Sequence, residues 1–162
     1  MAAAAAEDSN AWAGGIRTHG EVDANDLLQN AAQRIHADWF ADLPPVPVSW
    51  GRQPPRRRLT HLRFGCYRRA QRRIEITPRL SLPWVATLFF EHVLHHEYCH
   101  HRQAMLPISR FGRREGVHSP RFRAWERAFP DFGEAHRWET LALPWLLDGT
   151  PPPWYRPHRS LP

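Results

Sequence analysis

The stretch Ser81-Leu82-Pro83-Trp84-Val85-Ala86-Thr87-Leu88-Phe89-Phe90-Glu91-His92-Val93-Leu94-His95-His96-Glu97-Tyr98-Cys99-His100-His101-Arg102 decides the fold: it is strongly apolar, yet it carries five histidines. Ser81 is a capping residue type, and Pro83 suits a first helical turn, where its missing N–H would have no partner anyway. The spacing therefore predicts a helix from Ser81 to about Arg102. At about 100° per residue, Val85, Phe89, His92, His96, His100 and Gln103 share one face, while Trp84, Glu91, His95 and Arg102 form a polar stripe. The rest is largely apolar, as in a central helix buried on most sides. His95 and His101 project away from the His96–His100 face and are expected in water.

Inside this helix His96-Glu97-Tyr98-Cys99-His100 reads His-Glu-x-x-His. Residues four apart stack about 6 Å from one another along the axis, so two imidazoles can converge on one ion. Glu97, one position round, can reach a water on that ion more easily than the ion itself. Zinc brings the pKa of such a water towards about 7, and a carboxylate base completes a nucleophile for attack on a carbonyl. A histidine-rich chain can produce this pentapeptide by chance, but burying two histidines and a glutamate in so apolar a helix is costly without a use for them. A zinc site also needs a third protein ligand. His118, immediately before the helix start Ser119-Pro120, is the first choice, and Glu126 in the helix that follows is its rival. His92 lies one turn before His96 on the same face, where a packing or orienting role is commoner than ligation. Cys99 reads as a small packing residue.

Outward from the helix, the chain alternates in Arg73-Ile74-Glu75-Ile76, with the isoleucines towards a core and the charges towards water. Leu59–Tyr67 and Arg72–Ile76 are expected to form a hairpin around Arg69-Ala70-Gln71, with Val46–Trp50 a further short strand. Leu27, Leu28, Ala31, Ile35 and Trp39 recur at helical spacing, which predicts an amphipathic helix over Asp23–Phe40, ended by Leu43-Pro44-Pro45. Downstream, Leu106–Val117 reads as a loop. Ser119-Pro120 opens a helix, and residues 134–147 form another that Pro144 interrupts. The fold class is α+β. Residues 1–20 are expected to be a disordered lead-in, 21–147 the folded domain and 148–162 a proline-rich tail.

Composition bounds the function. The chain has 162 residues and two cysteines, Cys66 and Cys99, too few for a disulfide scaffold or a four-cysteine zinc ribbon. That cysteine usage and a lead without a basic start favour the cytoplasm. Its longest largely apolar run, Trp84–Phe90, is far short of the ~20 residues that span a membrane. The net charge is +6, and all 22 basic residues are arginine, as GC-rich codon usage would favour. Between Arg52 and Arg79 ten arginines face one acid, Glu75. Within that strip Arg68, Arg69, Arg72 and Arg73 are the candidate contacts for DNA or an acidic protein substrate.

Several segments together resemble the SprT-like zinc metallopeptidases and are similar also to the neighbouring YgjP-type group: Phe64-Gly65-Cys66-Tyr67, Arg73-Ile74-Glu75-Ile76-Thr77-Pro78-Arg79-Leu80, the His-Glu-x-x-His helix, and His118-Ser119-Pro120-Arg121-Phe122. Phe40-Ala41-Asp42-Leu43-Pro44, Phe129-Pro130-Asp131-Phe132 and Arg137-Trp138 extend the likeness to about residues 29–138. The resemblance implies a small zincin-like domain with one Zn2+ on His96, His100 and His118, and Glu97 as general base. It implies hydrolysis of peptide bonds in a protein or peptide substrate. The C-terminal cysteine ribbon that some members carry has no counterpart here. A zinc amidase acting on small molecules would use the same metal residues. A non-enzymatic zinc-stabilised DNA-binding module would leave Glu97 without a purpose and would need a fourth ligand. The oxyanion donor of a hydrolase could be His136, Tyr67 or an arginine.

Overall fold

Alternation builds the sheet. In Arg73–Ile76, the strand β3, both isoleucines are fully buried while Arg73 is exposed and Glu75 only partly covered. β3 is the centre of a three-stranded mixed sheet, with β1 (Val48–Trp50) parallel on one side and β2 (Gly65–Arg68) antiparallel on the other. The hairpin register pairs Gly65 with Ile76 and Arg68 with Arg73. Its turn runs through Arg69–Arg72, where Arg72 takes a left-handed φ of 47°. β2 is shorter than the expected Leu59–Tyr67 strand. Leu59 donates its N–H to the Leu147 carbonyl at 3.1 Å, so the chain before β2 packs on the C-terminal helix instead of pairing in the sheet.

The computed structural model describes residues 17–20, 22–55, 58–107 and 116–156. Most of the alanine-rich lead-in, Arg56 and Arg57, most of the Leu106–Val117 loop and the last residues of the proline-rich tail lie outside them. The described start of the chain lies against the fold: Thr18 bridges Ala86, and His19 Nε2 donates to the Leu80 carbonyl at 3.0 Å. Near the other end Pro152 is buried, and Trp154 and Tyr155 pack on the core.

Helix α1 (Ala24–Trp39) begins where the Asp23 side chain accepts the N–H groups of Asn25 and Asp26, and it buries Leu28, Ala31, Ala32 and Ile35. The central helix α2 (Thr87–Met105) starts later than the serine cap predicts. The Ser81 hydroxyl donates to the Pro78 carbonyl at 2.8 Å, within a 3-10 turn (Pro78–Ser81) that Thr77 caps. Trp84, Val85 and Ala86 then form a buried turn. The Arg17 carbonyl accepts the Thr87 N–H at 2.9 Å, so backbone from the N-terminus does the work of the missing cap. Trp84, expected on a polar stripe, is buried against Trp138.

Helix α3 (Pro120–Arg127) follows its serine cap as expected, with Ser119 Oγ accepting the Phe122 N–H at 3.2 Å. Helix α4 (Phe132–Asp148) runs unbroken through Pro144, correcting the expected interruption. An interior proline costs about 3 kcal/mol or more. Burial of Trp138, Ala142 and Leu146 on the face packed against α2 opposes that cost. Gly149, at φ 74°, closes α4 with its N–H on the Trp145 carbonyl. Among the described residues four helices and one small mixed sheet give an α+β fold. α2 lies at its middle, touching α1, α3, α4, β2 and β3. No described helix is long and apolar enough to cross a membrane.

Candidate metal centre

His96 and His100 project from successive turns of α2, with their Nε2 atoms 3.1 Å apart. His118 comes from the turn before α3 and places its Nε2 3.3 Å from that of His100. One nitrogen from each ring lies within 4.8 Å of the others, so the three could hold a metal ion. The donor chemistry fits: a neutral imidazole presents a lone pair, and three converging lone pairs repel unless a cation lies among them. Burial, reinforced by His96 and His118, pushes the His100 pKa down to about 4, and burial also lowers that of His118. Both shifts favour the neutral, ligating form. Phe122, fully buried, packs its ring against all three imidazoles.

His118 is held in a strained geometry. Its φ of 58° lies in the left-handed region, a placement worth of order 1–3 kcal/mol that persists only when the surroundings enforce it. They do so from two sides. Gln103 of α2 donates to the Gly116 carbonyl at 3.0 Å, and Arg123 of α3 donates to the His118 carbonyl at 3.3 Å.

Glu126, the rival third ligand, takes another part. Its Oε1 lies 2.7 Å from His96 Nδ1, on the far side of that ring from the cluster. A carboxylate accepting the Nδ1 proton leaves the Nε2 lone pair facing His100 and increases the basicity of the ring.

Glu97 is only 4% exposed and lies beneath β2. A Cβ at Gly65 would come within 2.6 Å of its Oε1, so only a glycine in the strand leaves room for this carboxylate. Burial pushes the Glu97 pKa up to about 7, against the pull of His96, the Tyr67 N–H that it accepts, and Arg63. Its Oε2 is buried with no hydrogen-bond partner among the described residues. Glu97, the three histidines, Arg63, Tyr67, Arg69 and Arg121 line one open cleft of about 670 Å³. Gly65 and Glu126 therefore have places in this cluster that residue-by-residue reading missed. A glycine breaking the apolar pattern of a hairpin strand was the available signal for the first, and a carboxylate one helix downstream for the second.

Other candidates fall elsewhere. His92 is buried among the rings of Phe129, Phe132 and His136, outside the ligand cluster. His95 and His101, expected in water, are each 2% exposed, because α1 and the turn after it cover that side of α2. His95 packs against Trp39, Phe40 and Phe129, with buried Cys99 at 3.8 Å. His101 donates from Nε2 to the Pro44 carbonyl at 3.0 Å, so its Nδ1 accepts the Tyr67 hydroxyl proton at 3.1 Å. That proton is directed at His101 and not at the cleft. His136 does not line the cleft. Of the four candidate arginines, all exposed, Arg68 and Arg73 both pair with Glu75, Arg69 lines the cleft, and Arg72 sits in the hairpin turn. Comparison of the chain with family models, with curated proteins and with solved structures finds no match in any of the three.

Proposed function

We propose that the chain is a zinc-dependent peptidase with a zincin-like site, of the kind found in SprT-like metallopeptidases, with His96, His100 and His118 as ligands and Glu97 as general base. One observation carries the reading: three imidazole nitrogens within 4.8 Å of one another share a cleft with a buried carboxylate from the helix that carries two of them. Three protein ligands leave a coordination position open, as catalytic zinc sites do, whereas structural sites close with four. Bound zinc supplies Lewis acidity, polarising a carbonyl and bringing the pKa of a water towards about 7.

The chain's own residues supply the rest. Glu97 takes a proton from the attacking water and passes it to the leaving amine. The Tyr67 N–H and the space above Gly65 fix the carboxylate in place. Glu126 fixes the His96 tautomer. β2 lies at the edge of the sheet beside the cleft, where its outer backbone groups can pair with an extended chain. That favours a peptide over a small amide.

Zinc-loaded protein should hydrolyse an unfolded protein such as reduced casein. Glu97→Gln should keep one zinc per chain and lose about 10² or more in rate, because a carboxamide cannot accept the proton. Undiminished turnover in that variant, or none in the zinc-loaded parent, overturns the proposal.

A further inference from the structure

We infer that the cleft selects extended peptides bearing acidic side chains, and that Arg63 and Arg69 read them; as a substrate preference this rests on the peptidase reading above. An extended chain turns every second side chain to the same side, and positions 63, 65, 67 and 69 all line the cleft. The inner two are committed: Gly65 makes room for Glu97, and the Tyr67 hydroxyl goes to His101. The outer two are exposed arginines, one beyond each end of β2. Arg63 precedes β2 and Arg69 opens the hairpin turn that follows it, so the two bracket the stretch of strand that covers Glu97.

Neither arginine forms an ion pair among the described residues, whereas Arg68 and Arg73 are both held by Glu75. Among the described residues Arg63 has the Cys66 thiol at 3.8 Å and acts on the Glu97 carboxylate through charge, without an ion pair to it. Glu97 is the one carboxylate among the described residues of the cleft. A second groove shares Arg63, Gly65 and Cys66 with the cleft and continues past Arg52. A peptide leaving at the Arg63 end therefore meets Arg52, Arg63 and Arg68 against one carboxylate, Glu75, which Arg68 and Arg73 already hold. A strand edge with a cation beyond each end suits an extended peptide with carboxylates on either side of the residues that face Glu97. A nucleic acid would draw on the outward face of the hairpin, where Glu75 already neutralises part of the charge.

The test is an anisotropy titration with zinc-loaded Glu97→Gln, which binds without turnover, against labelled decapeptides rich in Asp and Glu or in Gln and Ala. The acidic peptide should bind at least tenfold tighter at ~50 mM salt, with the preference shrinking as salt rises. Arg63→Gln and Arg69→Gln should each weaken it about tenfold, the loss of one charge-assisted contact, and the double variant should erase the preference. Equal binding of the two peptides, a preference that survives in the double variant, or displacement by a thymidine oligonucleotide at lower concentration than by unlabelled acidic peptide overturns the inference. Acidic binding with no hydrolysis of that peptide by the zinc-loaded parent keeps the recognition and sinks the peptidase. Hydrolysis of both peptides with equal kcat/KM does the reverse.

Discussion

Two sides of α2 carry the same residue type to opposite ends. On the cleft side His96 and His100 bring their Nε2 atoms to 3.1 Å, with Glu126 behind the first ring and His118 closing the group. On the side under α1, their sequence neighbours His95 and His101 are sealed into the core. His101 satisfies both nitrogens with neutral partners, the Pro44 carbonyl and the Tyr67 hydroxyl. One residue of rotation, about 100°, separates each cleft histidine from its buried neighbour. Periodicity thus separates the two faces, but the partners of each ring decide which histidine offers a lone pair and which completes a hydrogen-bond chain.

The largest effect that could break this contrast is metal loss. Metal analysis of His96→Ala/His100→Ala should find zinc absent, since a single remaining imidazole cannot hold it, while His101→Phe should still carry one zinc per chain. Full occupancy in the double variant would erase the distinction between the two sides. The next effect separates ligand from orienting partner. In a chelator competition His118→Ala should lose zinc more readily than Glu126→Ala, whose affinity should fall by about 10–100-fold. The reverse order would make Glu126 the ligand.

Smaller effects sharpen the buried side. His101→Phe leaves the Pro44 carbonyl and the Tyr67 hydroxyl without their partner, and urea unfolding should show a loss of about 1–3 kcal/mol at unchanged zinc content. Stability equal to that of the parent would mean that those hydrogen bonds are dispensable.

His19 extends the contrast to a buried histidine far from the cleft. Burial lowers its pKa to about 4, against the opposing hydrogen bond to the Leu80 carbonyl. The unfolded chain takes up this proton near pH 6.5 and the folded one only near 4, so the stability is fully present above 6.5 and is lost as pH falls towards 4. Over that window one such group accounts for up to roughly 3 kcal/mol. His19→Gln should flatten the acid limb of stability against pH; an unchanged slope would show that His19 is not protonated differently in the two states.

Short-range patterns were readable without coordinates. The four-residue spacing of His96 and His100, the alternation around Ile74 and Ile76 and the serine cap at Ser119 are each encoded within a few residues, and each recurs in the structure. The helix start at Ser81 rests on the same kind of signal, but the Pro78 carbonyl takes the serine hydroxyl, and the Arg17 carbonyl, 70 residues before Thr87, takes over the capping. Pro144 reads locally as a break, but packing on α2 outweighs it.

The chain alone determined which groups could bind a metal and which could take a proton, because those properties belong to residue type and local period. Only the tertiary structure decided their working form. It set Glu126 behind His96 across 30 residues, opened β2 at Gly65 above Glu97, and bent His118 into the cluster between α2 and α3. It also sealed His95 and His101 beneath α1. Each of these depends on two distant surfaces meeting, and the free energy of such a meeting belongs to the pair of surfaces and has no counterpart in either segment alone.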